Sequence, residues 1–138
     1  MSRKTSREVA MMLTYEKIFG CDDDTYKDVL EKQGIDGEPA TADVKFALDI
    51  VNGVQEHIEE IDKLIEISAK NWPISRMPKV DLSILRNAVF EIIYDANMDD
   101  AISVNEAIEL AKVYCDEQSP KFINGVLGGI VRNKTISF

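Results

Sequence analysis

Apolar side chains recur every three or four residues along most of this chain, the period of an α-helix rather than the two-residue alternation of a half-buried strand. Met11, Met12, Tyr15, Ile18 and Phe19 share one face of a first helix that ends near Gly20. Asp22, Asp23 and Asp24 then suit the positive end of a short second helix carrying Tyr26, Val29 and Leu30, and Gly34 to Pro39 reads as a loop. Val44, Ala47, Val51, Val54, Ile58, Ile61 and Ile65 are separated alternately by three and four residues, as in an apolar seam against neighbouring helices. Gly53 interrupts that seam at a cost of about 1 kcal/mol relative to alanine, so one long helix and two helices with a bend both fit. Trp72, Pro73 and Pro78 mark a connection, because proline lacks the N–H that a helix interior needs.

From Asp81 to Tyr94 only Ser83, Arg86, Asn87 and Glu91 interrupt a run that is apolar on nearly every side, which predicts a central, buried helix. Ser103 and Glu106 have capping-box spacing and predict a further helix from about Val104 to Tyr114. Ser119 and Pro120 suit the start of a last helix. Behind them Phe122, Val126 and Ile130 form one line, with Ile123, Leu127 and Val131 beside it. Gly125 and Gly129 lie one turn apart in that helix and predict a close helix approach; a Gly-x-x-Gly loop clamping nucleotides is the other reading. The pattern as a whole predicts one all-α domain of two packed helical subdomains, residues 1–72 and 79–138.

With 138 residues and 45% apolar side chains the chain supports one core. No apolar run approaches the roughly 20 residues needed to cross a bilayer, so a soluble, cytoplasmic protein is expected. Cys21 and Cys115 stand far apart without nearby histidines, and both read as reduced thiols rather than a disulfide or a zinc site. His57, flanked by Glu56 and Glu59, reads as a solvated surface histidine, and nothing in the pattern requires an enzyme, a cofactor or a metal.

Charge changes the picture most. A formal charge of −9 argues on average against electrostatic binding of nucleic acid, yet it is unevenly spread. Acids cluster from Asp22 to Glu38 and from Glu56 to Glu66, whereas the first seven residues carry Arg3, Lys4 and Arg7 with no acid among them. Lys121 stands in the first turn of the last helix, where the dipole disfavours a cation by roughly 0.3–1 kcal/mol and an anionic ligand would offset that cost. A solvated lysine and a disordered basic tail are the alternatives.

The stretch Asn105-Glu-Ala-Ile-Glu-Leu-Ala-Lys112, followed by Ser119-Pro-Lys-Phe-Ile-Asn-Gly-Val-Leu-Gly-Gly-Ile-Val-Arg132, closely resembles the C-terminal signature of the NusB family of bacterial transcription antitermination proteins. Arg7-Glu8 leading to Leu13 and Tyr15, and Val80-Asp81-Leu82 through Ile84-Leu85-Arg86, resemble that family's first and central helices, so the resemblance spans nearly the whole chain. It implies an RNA-binding, non-enzymatic factor of two helical subdomains. This factor would pair with the ribosomal protein NusE and bind single-stranded boxA-like RNA in ribosomal RNA leader transcripts, within the RNA polymerase antitermination complex. By that resemblance Arg3, Lys4, Arg7, Lys121 and Phe122 contact RNA, while Tyr15 and Asp81 face NusE. Phe122 also fits the core stripe, Asp81 a helix cap and Tyr15 a core-edge aromatic. Two rivals stand beside this reading: a homodimerisation module with incidental RNA binding, and the NusB-like domain of a ribosomal RNA cytosine methyltransferase. The leading reading requires the cations to gather at one end of the particle, and it implies weak, salt-sensitive RNA binding by the protein alone.

Overall fold

Ser2 begins the first helix by accepting a hydrogen bond from the Thr5 N–H at 3.1 Å, which satisfies one of the backbone donors left open at a helix start. In this computed structural model, which describes residues 2–20 and 42–137, that helix is α1 (Arg3–Ile18). It ends at Gly20, whose φ of +76° is a left-handed conformation that glycine adopts without a Cβ penalty. The short second helix and the Gly34–Pro39 loop expected from sequence lie outside the described residues.

The long apolar seam forms two helices, α2 (Ala42–Glu56) and α3 (Ile58–Ser68). The break falls at His57 (φ −114°, ψ 24°) and not at Gly53. Gly53 remains inside α2 because the Phe90 ring presses against it: a Cβ there would stand 2.0 Å from Phe90 Cε1. His57 is half-buried rather than solvated, its ring stacked on Tyr94 at 4.0 Å and 12°. The Tyr94 hydroxyl donates to Glu60 in the next turn. Burial, followed by that hydrogen bond and the carboxylate's charge, pushes the phenol up to about 12. After α3 the chain reverses through Lys70 and Asn71, both with positive φ, and the Asn71 N–H closes on the Glu66 carbonyl at 2.9 Å. Glu66 also accepts the Ile74 N–H at 3.1 Å, which ties a single 3-10 turn (Ile74–Arg76) to α3.

The next helix, α4 (Lys79–Tyr94), is the buried centre expected from its composition and packs against α1, α2 and α3. A helix surrounded by protein must find a partner for each polar side chain, since an unpaired buried polar group costs about 1–3 kcal/mol. Ser83 donates to the Lys79 carbonyl at 2.8 Å, and Arg86 clamps Asp62 of α3 with two bonds of 2.8 Å. Asn87 accepts from Thr14 of α1 at 2.8 Å, although its own Nδ2 is buried without a hydrogen-bond partner among the described residues, and Glu91 holds Arg7. Buried side chains before and after the 72–79 connection, Val9, Val54 and Ile61 with Ile84, Leu127 and Ile130, join in one core.

Two antiparallel helices, α5 (Asp100–Tyr114) and α6 (Ser119–Ser137), cover the remaining side of α4. Helix α5 starts ahead of the expected capping box. Asp99 is its cap, accepting the Ala101 N–H at 2.8 Å, while Ser103 is buried and donates to Glu91. Lys134 of α6 reaches the Ile92 carbonyl at 2.7 Å and Asp100 at 3.0 Å, fixing the end of α6 beside the start of α5. The glycines of α6 do not serve the close approach expected of them. No heavy atom lies within 4 Å of a Cβ built at Gly125, and at Gly129 the nearest is Ser68 Cβ at an ordinary 3.7 Å. Six α-helices and no strand make up the described residues, so the protein is all-α.

Gly53→Ala should destabilise the fold by about 1–3 kcal/mol through overpacking against Phe90, and Phe90→Leu should recover most of that loss. Denaturant unfolding of the two single variants and the double variant checks this; a Gly53→Ala protein as stable as the parent would contradict the close ring approach.

Candidate nucleic-acid interface

Along α1 the residues Arg7, Ala10, Met11 and Thr14 recur at helical spacing and are all buried, so Arg7 belongs to the stripe that faces the core. Arg7 is 6% exposed and its guanidinium grips Glu91 of α4, Nε at 3.1 Å from one carboxylate oxygen and Nη2 at 2.7 Å from the other. Ser103 of α5 donates to the same carboxylate at 3.1 Å, and Met98 Sδ lies 3.5 Å from Nη2. The expectation that Arg7 touches phosphate is therefore corrected: its forked donors are engaged inside the protein, where a buried charge persists only when paired and hydrogen-bonded. Periodicity alone places Arg7 on the buried face; its partner, 84 residues away, is beyond any local pattern.

Arg3 and Lys4 remain exposed in the first turn of α1, which contains no acid. Arg3 lies over the Phe46 ring of α2, its Cζ 4.1 Å from the ring centroid, with Asp43 at a loose 3.9 Å. Lys4 makes no ion pair with a described residue, and the same holds for Lys121, exposed in the first turn of α6. Phe122, next to it, is half-buried and packs against the core.

The gathering of cations at one end, on which the sequence reading rests, is therefore not found: Arg7 is buried and the starts of α1 and α6 adjoin different ends of α4, so what remains of that reading is one surface joining two separate groups of cations. Arg7 sets the start of α1 beside Glu91, whereas the start of α6 adjoins the opposite end of α4, where Asp81 meets Cys115. At about 1.5 Å per residue, the α4 segment between Asp81 and Glu91 is about 15 Å long. One surface nevertheless links the two groups. Lys4 is one turn ahead of Glu8 on the same face of α1; Glu8 accepts the Tyr114 hydroxyl at 2.7 Å; and Tyr114 closes α5 just before α6 begins. That hydrogen bond, with burial and the carboxylate's charge, pushes the Tyr114 phenol up to about 12, so it remains a neutral donor at physiological pH. Sequence reasoning misses Tyr114. Its one signal is an aromatic residue ending a helix, and it is 38% exposed.

Tyr15 and Asp81 lie toward the Asp81 end of α4, where α1 finishes. Tyr15 is half-buried and stacks obliquely on Phe19 at 5.1 Å, and Phe19 itself is 60% exposed. Asp81 is only 4% exposed and stands beside the Cys115 thiol. Burial first, then the neighbouring Asp81 carboxylate, which favours the protonated thiol, pushes Cys115 up to about 12, which keeps it an unreactive thiol. Among the described residues no group of three or more His, Cys, Asp or Glu side chains could hold a metal ion, and no helix is long and apolar enough to cross a membrane.

A buried central helix packed against five others is an arrangement shared with solved structures of antitermination factors. A solved structure described as antitermination factors NusB and NusE in complex with dsRNA superposes with a TM-score of 0.82 at 31% identity, covering 94% of this chain and 96% of that one. A chain from a crystal structure of a plectonemic RNA supercoil superposes at 0.87 with 32% identity, covering 99% and 98% respectively. The transcription antitermination protein NusB of Clostridium novyi (strain NT) is 39% identical over 134 residues, 96% of this chain and 99% of that protein. The NusB of Clostridium botulinum (strain Hall) is 41% identical, covering 95% of this chain and all of its own. The NusB family model matches residues 4–132, and the chain belongs to that family.

Arg7→Ala, which leaves Glu91 charged and unpaired, should cost about 3–5 kcal/mol, whereas replacing both partners by apolar side chains, Arg7→Met with Glu91→Leu, should cost much less. Thermal and denaturant unfolding separate the two. Equal losses in both variants would show that the ion pair is not the tie that holds α1.

Proposed function

We propose that this protein is a non-enzymatic, cytoplasmic transcription antitermination factor that pairs with NusE and binds boxA-like single-stranded RNA in ribosomal RNA leader transcripts, within the RNA polymerase antitermination complex. The observation that carries the reading is the exposed surface from Arg3 and Lys4, past Glu8 and Tyr114, to Lys121, in a chain similar over nearly its whole length to a NusB solved with NusE and RNA. A flexible strand can run along such a surface. Phosphates would be held by the cations at its two ends, and bases would meet Tyr114 and the half-buried Phe122 between them. Lys121 adds its charge to the open N–H groups of a helix start, an arrangement suited to phosphate.

The electrostatics favour a joint site. A few exposed cations on a chain of net charge −9 give weak binding, and the approach of RNA is opposed by the acidic remainder wherever screening over about 8 Å is incomplete. A basic partner would supply further phosphate contacts. For NusE the Tyr15–Phe19 aromatic pair offers the contact surface, whereas Asp81, buried in the first turn of α4, is a supporting residue more than a direct contact.

Affinity for a boxA-like RNA should exceed that for a scrambled RNA, and the difference should widen when NusE is added; equal affinities in every condition would reject sequence-specific binding. Arg3→Ala with Lys4→Ala should reduce the slope of log K against log salt by roughly 1.4, two contacts at about 0.7 each for a single strand. A slope left unchanged would move the RNA site elsewhere.

A further inference from the structure

Two guanidiniums of α1 share one aromatic ring. Arg3 Cζ stands 4.1 Å and Arg7 Cζ 5.3 Å from the centroid of Phe46, a half-buried side chain of α2. The two arginines are not equivalent. Arg7 is locked by its two hydrogen bonds to Glu91 and would hold its place without the ring. Arg3 is half exposed, and its contacts in the structure are the face of Phe46 and a loose approach to Asp43. A long side chain at a helix start otherwise samples many rotamers, and ordering it on a phosphate would cost that freedom.

We propose that Phe46 is a positioning residue that holds the Arg3 guanidinium flat against its ring, with the outer N–H edge directed to an RNA phosphate. This rests on the reading of Arg3 as an RNA contact. The negative face of the ring attracts the cation and restrains its plane, while the guanidinium's donors, which lie in that plane, stay free for a forked contact with phosphate oxygens. Arg7, anchored on Glu91, stands 5.3 Å from the centroid of the same ring as a second, fixed cation beside it. Asp43 limits the sideways swing of Arg3 and competes weakly with phosphate for it.

The experiment compares Arg3→Ala, Phe46→Leu, Phe46→Tyr and the double variant Arg3→Ala with Phe46→Leu, each titrated with boxA-like RNA and each checked by thermal unfolding. Phe46→Leu keeps an apolar side chain but removes the ring, and should lose roughly three- to fivefold in affinity. Phe46→Tyr, which retains the ring face, should bind as the parent does. In the Arg3→Ala background, Phe46→Leu should cause no further loss. The Arg3 Nε–H proton, shifted upfield by the ring current in the parent, should return to its free value in Phe46→Leu and stay shifted in Phe46→Tyr. Additive losses in the double variant, or an Arg3 resonance that ignores the ring, would overturn the positioning role while leaving Arg3 as a contact. If Arg3→Ala, Lys4→Ala and Lys121→Ala all bind as the parent does, the RNA surface itself is wrong, and the role of Phe46 fails with it.

Discussion

A charged pair enclosed by helices holds the start of this chain in place. Arg7 and Glu91 are both almost fully buried, so each charge has given up water whose loss is compensated only by near-ideal bonding. The carboxylate receives two bonds from the guanidinium and one from Ser103, and so joins α1, α4 and α5 at one point. Such a pair contributes less to net stability than to register, because any sliding of α1 along α4 would strand a charge in the core. Thr14 on Asn87, two turns further along the same helix pair, fixes the second point of that register.

The surface follows from that tie. Once Arg7 faces inward, helical geometry turns Arg3 toward the ring of Phe46 and Lys4 and Glu8 toward the end of α5, where Tyr114 donates to the Glu8 carboxylate. The Lys134 bridge to Asp100 and the Ile92 carbonyl does the same for α6, setting its first turn and Lys121 at the far end of α4. Two internal cation clamps therefore leave other cations outside, toward different ends of α4. An extended, flexible polyanion fits such spacing better than a single small anion would. The strong negative balance elsewhere makes a partner that adds positive charge the natural means of tightening the contact.

Helix positions, the buried centre at Asp81 to Tyr94 and the basic first turn of α1 are legible in the sequence, because each depends on local spacing and composition. Where sequence and structure differ, the deciding neighbour is remote. Ser103 has the spacing of a cap because Glu106 follows it at the right interval, yet Glu91 claims its hydroxyl and Asp99 caps the helix. Gly53 has the composition of a bend, but Phe90, 37 positions later, requires a glycine within a straight helix, and the break moves to His57, whose ring is held by Tyr94. Gly125 has the spacing of a packing glycine and faces open space. Arg7 has the charge of a phosphate contact, although its place on the Ala10, Met11 and Thr14 stripe already sets it inside. That last difference is legible from periodicity alone; the others need the third dimension.

Titrating boxA-like RNA into the isotopically labelled protein and mapping the shifted amide and side-chain resonances is the most direct test. The shifts should form a continuous track from Arg3 and Lys4 through Glu8 and Tyr114 to Lys121, with the Arg7 and Glu91 side-chain signals unmoved. Shifts confined to the α3 face around Ile67 and Trp72, or release of Arg7 from Glu91 on binding, would contradict that surface.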